Sequence, residues 1–207
     1  MTTPEPTVFL VDDDHAMRDA LGLLLDTAGF NTVSFSSATE FLERYDASQP
    51  GCLVLDIRMP GMSGMELQEA LVEQTGGLPI IFLTGHGNVS MSAKAFRTGA
   101  IDFLEKPFDE AVLLERIHEA LGIDKTNRES AARHAHASSR LSVLTPRERE
   151  VMLLLVAGNT NKEIAAKLDL STRTIETHRG RVMDKTGVQS VAELVELAIS
   201  SGSYTPK

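Results

Sequence analysis

One cysteine, Cys52, is the only thiol in 207 residues, so no internal disulfide can form. It lies in an apolar run, where a small buried hydrophobe is its expected role. No apolar run reaches the roughly 18 residues of a membrane span. The opening residues Met1-Thr2-Thr3-Pro4-Glu5-Pro6 lack the basic start and apolar centre of a secretory signal. A cytoplasmic, soluble chain with no membrane partner is the expectation. No internal repeat is present. Basic residues are scarce in one half: residues 1–123 hold 7 Lys and Arg against 19 Asp and Glu. Residues 124–140 hold 4 against 2, and residues 141–207 hold 9 against 8. An acidic half joined to a nearly neutral half argues for two domains with different partners.

Up to about residue 122, short apolar stretches alternate with amphipathic ones. The strand-like runs are Val8–Val11, Thr32–Phe35, Cys52–Leu55, Ile80–Leu83 and Ile101–Leu104. Met17, Leu21, Leu24, Leu25 and Ala28 recur at helical spacing, and Gly29 closes that helix. Ser37 with Glu40, and Ser63 with Glu66, have the spacing of capping boxes. Further helices are expected near 89–98 and 109–121. Five strand–helix units with short connections predict an α/β fold, a doubly wound parallel sheet.

The runs deliver Asp12, Asp13 and Asp14, then Asp56, then Thr84, then Lys106 to the ends of four strands. Ligand-binding groups of an open parallel sheet gather at that rim. Adjacent acids repel and favour a cation, and acids, a hydroxyl and an ammonium together suit phosphoryl transfer with a divalent ion. Taken singly, Asp12 to Asp14 read as a helix cap and Asp56 as a turn residue. In register together, they read as a pocket.

Residues 5–122 resemble the receiver domain of bacterial two-component response regulators. The resemblance rests on Asp56-Ile57-Arg58-Met59-Pro60-Gly61-Met62-Ser63-Gly64, Thr84-Gly85-His86-Gly87, Gly99-Ala100 and Phe103-Leu104-Glu105-Lys106-Pro107-Phe108. It implies a sheet of order 2-1-3-4-5 and Asp56 as phosphoacceptor. Mg²⁺ would be held by Asp13, Asp56 and the Arg58 carbonyl, with Asp12 acting through water. Lys106 would pair with Asp56 first and with a phosphate oxygen afterwards, while Thr84 would bond another phosphate oxygen. Phe103 would be the switch aromatic that turns when Thr84 moves inward. The Lys106–Pro107 bond is cis in such domains. A rival resemblance is to phosphatases of the haloacid dehalogenase type, for which Asp12-Asp13-Asp14 imitates the Asp-x-Asp signature. Under it, His15 stands where Thr or Val is usual, no later acidic pair supplies the metal, and Asp56 has no role.

Residues 123–140 contain Ala, Ser, His, Arg and Asn without an apolar period. They read as a linker, either loose or a helix continuing the previous one. His134 and His136 within it are expected to be solvated. From Leu141 to about residue 203 the strand pattern is gone. Thr145-Pro146-Arg147-Glu148 is a capping box with Pro at the first helical position. Thr160 with Glu163 caps a second helix, Ser171 a third, and Ser190 with Glu193 a fourth. The second and third, joined by Asp169-Leu170-Ser171, form a helix-turn-helix by pattern.

Residues 141–203 resemble the DNA-binding domain of the LuxR/FixJ type. The matching residues run Leu144-Thr145-Pro146-Arg147-Glu148-Arg149-Glu150-Val151, Gly158, Asn161-Lys162-Glu163-Ile164-Ala165, Leu168, Ser171, Thr174-Ile175-Glu176-Thr177-His178, Arg181-Val182-Met183 and Lys185. The resemblance implies a recognition helix over about 171–185, binding as a dimer to two half-sites. Its candidate contacts are Thr172, Arg173, Thr174, Glu176, Thr177, His178, Arg179, Arg181 and Lys185. Arg and Lys reach phosphates or guanine edges. Glu176 departs from the basic residue common in relatives, and either accepts from a cytosine amino group or merely lowers affinity.

The whole chain therefore reads as a phosphorylation-controlled transcriptional regulator, not an enzyme. The expected partners are a sensor histidine kinase, promoter DNA, RNA polymerase and a second copy of the chain after phosphorylation. Activation is the expected sign of regulation. The alternative is a regulator that binds DNA without phosphate, in which Asp56→Asn changes nothing.

Overall fold

The computed structural model describes residues 5–75, 77–85 and 100–206, without the side chains of 73–75. The helix expected near 89–98 and His86 lie outside the described residues. The chain divides into two compact units, Met1–Arg128 and Glu129–Lys207.

The first unit is a five-stranded parallel sheet of order β2-β1-β3-β4-β5. The strands are β1 Thr7–Val11, β2 Asn31–Phe35, β3 Gly51–Asp56, β4 Ile80–Thr84 and β5 Asp102–Glu105. β1, β3 and β4 are buried at every position. Continuous Val/Leu/Ile runs in central parallel strands require that, because helices cover both faces. Among the described residues these are α1 His15–Thr27, α2 Ala38–Arg44, α3 Gly64–Thr75 and α4 Glu110–Ser142.

Alternation along the strands builds two cores. Phe9, Leu53, Leu55 and Phe82 join Phe35, Phe41, Leu67 and Leu71 on one face. Val8, Leu10, Val54 and Ile81 join Leu21, Leu25, Leu113 and Ile117 on the other. Each such side chain contributes roughly 1.5–3 kcal/mol on full burial. The pairing Val11↔Leu55 and Asp56↔Leu83 brings the carboxyl ends of β1, β3 and β4 level.

The second unit is helical. The end of α4 packs with α5 Pro146–Val156, α6 Asn161–Leu168, α7 Thr172–Thr186 and α8 Val191–Ser200. Its core contains Leu141, Val151, Leu155, Ile164, Ile175, Val182 and Leu194. Between α6 and α7, Asp169 adopts left-handed φ 52°, which turns the chain sharply into the Ser171 cap.

Reciprocal capping boxes form at Thr145–Glu148, Thr160–Glu163 and Ser63–Glu66. Two expected boxes differ. Glu40 reaches the Ser36 amide rather than that of Ser37, and Glu193 reaches Gln189 rather than Ser190. The caps at Ser37 and Ser190 are more extended, with φ −158° and −145° against −65° and −72° at Thr145 and Thr160. Rotation at the cap turns its own N–H out of the carboxylate's reach. Residues 123–140 are helical throughout as part of α4. Asp124 and Ala137 within them are buried.

Candidate functional site

At the end of β1, Asp12 is 1% exposed, and its Oδ1 accepts the Asp14 amide at 2.9 Å. That bond bends the chain outward, leaving Asp13 exposed and Asp14 as the cap of α1. Asp56 closes β3, is 7% exposed, and accepts the Arg58 amide through Oδ2 at 3.1 Å. Each of Asp12, Asp13 and Asp56 contributes an oxygen, and these lie within 4.8 Å of one another. A hard cation with oxygen ligands fits such a donor set.

Lys106 follows β5, its amide bonded to the Thr84 carbonyl at 2.7 Å, and its peptide to Pro107 is cis. Its ammonium donates to Asp12 at 2.8 Å and to Asp56 at 3.1 Å. The resemblance pairs Lys106 with Asp56 and gives Asp12 a part only in holding Mg²⁺ through water. The geometry makes Asp12 the nearer partner. Burial pushes the Asp56 carboxyl above its ordinary range, and the Lys106 hydrogen bond and charge do not fully offset it. One ammonium is shared between two carboxylates. Burial pulls Lys106 down, yet hydrogen bonds to Asp12 and Asp56 outweigh it and hold the ammonium charged.

Thr84 is buried at the end of β4. Phe103 is half-buried on β5 against the core that contains Phe82. Beside the acids, a depression of about 540 Å³ is lined by residues including Asp13, Arg58, Met59 and Ser63. Asp12, Asp13, Asp56 and Lys106 thus converge, with the Arg58 main chain at the edge. Asp56, idle in a dehalogenase-type phosphatase, occupies this cluster.

On α7, Ile175, Val182 and Thr186 are buried. Thr172, Arg173, Glu176, Thr177 and Arg181 are exposed, and Thr174, His178 and Arg179 half-buried. The Thr174 and Ser171 hydroxyls are 2.8 Å apart, and Thr177 donates to the Arg173 carbonyl at 3.0 Å. Lys185 donates to Glu148 at 2.7 Å. Glu148 is buried, and the Lys185 hydrogen bond, followed by the Thr145 amide, holds it down at about 2. By sequence pattern Glu148 is only the partner of a cap, and Lys185 is expected only as a DNA contact. A pair 37 residues apart on different helices leaves no local pattern to detect. Arg147 likewise donates to the Leu168 carbonyl at 2.8 Å, closing the end of α6.

The family of response regulator receiver domains matches residues 8–118, and the luxR family of bacterial regulatory proteins matches residues 142–198. The transcriptional regulatory protein FixJ of Bradyrhizobium diazoefficiens is 42% identical over 97% of this chain and 98% of its own length. Response regulator protein TmoT of Ectopseudomonas mendocina is 40% identical, covering 95% and 90%. Among solved structures, the response regulator StyR aligns at a TM-score of 0.83 with 44% identity over 94% of this chain and 98% of its own. Full-length FixJ from B. japonicum aligns at 0.57 with 41% identity over 98% and 100%.

Proposed function

This chain belongs to the two-component response regulators that join a receiver to a LuxR-type DNA-binding domain, and from that membership as a transcriptional regulator we propose the following mechanism. Asp56 is the phosphoacceptor, and a sensor histidine kinase is the donor. One carboxylate oxygen of Asp56 attacks phosphorus, the P–N bond to the donor histidine breaks, and an acyl phosphate forms. The observation that carries the proposal is the convergence of Asp12, Asp13, Asp56 and Lys106 at one rim of the sheet.

Asp13, Asp56 and the Arg58 carbonyl would hold Mg²⁺, with Asp12 acting through water. When bound, the ion offsets negative charge on the incoming phosphoryl group. Lys106 gives up its bond to Asp56 and takes a phosphate oxygen. The Thr84 hydroxyl takes another, and Phe103 turns into the space Thr84 leaves. The β5 side of the receiver then pairs with a second copy.

Pairing presents two copies of α7 to promoter half-sites. Arg173, Arg179 and Arg181 serve phosphates or guanine edges, with Thr172, Thr174, Thr177 and His178 beside them. Glu176 accepts from a cytosine amino group. Lys185, engaged by Glu148, fixes α7 rather than reading bases. Near-neutral charge on this unit makes single-copy binding weak, which is why pairing controls the output. The bound dimer recruits RNA polymerase and activates transcription.

The test is the intact mass of wild type and Asp56→Asn after incubation with acetyl phosphate and Mg²⁺. One Mg²⁺-dependent phosphoryl adduct on wild type, absent from the variant, is expected. A folded wild type that stays unlabelled, while a control receiver is labelled, overturns small-donor phosphorylation. Equal DNA binding by both forms favours the phosphate-independent alternative.

A further inference from the structure

The last turn of a helix leaves carbonyls without intrahelical partners. In α7 the Gly187 amide returns to the Met183 carbonyl at 2.8 Å, while the Thr186 hydroxyl turns back to Val182 at 2.6 Å. The Thr186 carbonyl is taken by a residue from outside the helix-turn-helix. Arg140, near the end of α4, donates to it through Nε at 2.8 Å and through Nη2 as well. Gly187 takes left-handed φ 68° as the cap of α7, a conformation that favours glycine, and the guanidinium lies in ordinary contact beside it. A Cβ there would stand 3.7 Å from Arg140 Nη2.

Two donors of one planar group on one carbonyl fix direction as well as distance. The cation also lies at the negative end of the α7 dipole, where it is favoured. Arg149 donates to the Leu141 carbonyl at 3.2 Å, so α5 in turn holds the end of α4. Arg140 lies outside residues 142–198, the span matched to the luxR family. By composition it belonged to the linker.

We propose that Arg140 is a positioning residue for DNA reading: it sets the axial position and tilt of α7, and so the aim of the side chains on the exposed face. This rests on the reading of α7 as the DNA-contacting helix. Arg140 itself touches no DNA.

The test uses the full chain as wild type, Arg140→Ala, Arg140→Gln and Arg140→Lys, all in one phosphorylation state. The probe is a duplex selected by wild type from a randomised pool, and binding is measured where circular dichroism shows each variant folded. Arg140→Ala is expected to raise Kd about tenfold, while Arg140→Lys stays within about threefold. Amides of residues 183–187 exchange faster in Arg140→Ala. The slope of log affinity on log salt stays unchanged. A slope reduced by about one in Arg140→Ala marks a direct phosphate contact and overturns the proposal. A lowered melting temperature with unchanged Kd marks a purely structural role and also overturns it. Arg140→Gln carries the same criteria if the alanine variant does not fold. A wild type that selects no duplex removes the DNA-binding reading itself, and this inference with it.

Discussion

The Asp124 carboxylate accepts the Gly51 amide at 2.9 Å, across 73 residues of chain and out of contact with solvent. The same Oδ2 receives Arg128 Nε at 2.8 Å, and Arg128 goes on to the Ser48 and Gln49 carbonyls at 3.1 and 2.7 Å. Residues beyond the expected end of the receiver helix therefore close the entry to β3. Asp124→Ala strands the Gly51 N–H and removes the carboxylate partner of Arg128, and is expected to cost about 2–3 kcal/mol. Asp124→Asn keeps an acceptor and is expected to cost about half as much. Urea unfolding of the receiver measures both, and midpoints equal to wild type refute the role.

Gly64 begins α3 directly behind the acceptor strand. A Cβ there would intrude on the Asp56 carbonyl oxygen and stand 3.1 Å from Leu55 Cγ. Gly64→Ala must shift the end of β3 or the start of α3, at about 1–3 kcal/mol. Thermal unfolding reads the loss. Slower labelling by acetyl phosphate reads the displacement of Asp56, whereas wild-type values in both would show that the backbone yields freely.

Glu148 is held at about 2, below its ordinary 4.5, by Lys185 first and the Thr145 amide next. A carboxyl depressed in the folded state adds stability that is full above its unfolded value. That stability is lost as pH falls from about 4.5 towards 2. The expected result is faster amide exchange in α7 over that window, with a flatter profile in Glu148→Gln. Parallel profiles in the two proteins would exclude the pair as the acid-sensitive element.

Cys52 is fully buried on β3, and burial, with Asp124 adding to it, pushes its thiol up to about 12. Thiolate is the reactive form. Native protein at pH 8 is expected to leave a thiol reagent unconsumed for hours, and to react with one equivalent once unfolded in urea. Rapid native labelling would mean that β3 opens readily.

Elements built on local pattern were legible. Alternating apolar runs located the strands to within a residue, since a central parallel strand must be apolar on both faces. The Thr145 and Thr160 boxes marked helix starts because cap and partner lie three residues apart. Spacing alone also aligned Asp12, Asp13, Asp56, Thr84 and Lys106 with strand ends. Composition does not decide the helical state of 123–140, because its Ala-rich sequence suits helix and coil alike.

The sequence by itself thus determined the class of each unit, the identity of the acidic rim and the helix that carries the candidate DNA contacts. The tertiary structure decided the pairings: Lys106 nearer Asp12 than Asp56, Lys185 drawn to Glu148, Arg140 on the Thr186 carbonyl and Asp124 on the Gly51 amide. The reason is physical. A helix or strand repeats with a short period that leaves its mark within a few residues, whereas a buried polar group takes whichever partner folding delivers, over separations of 37 to 94 residues here.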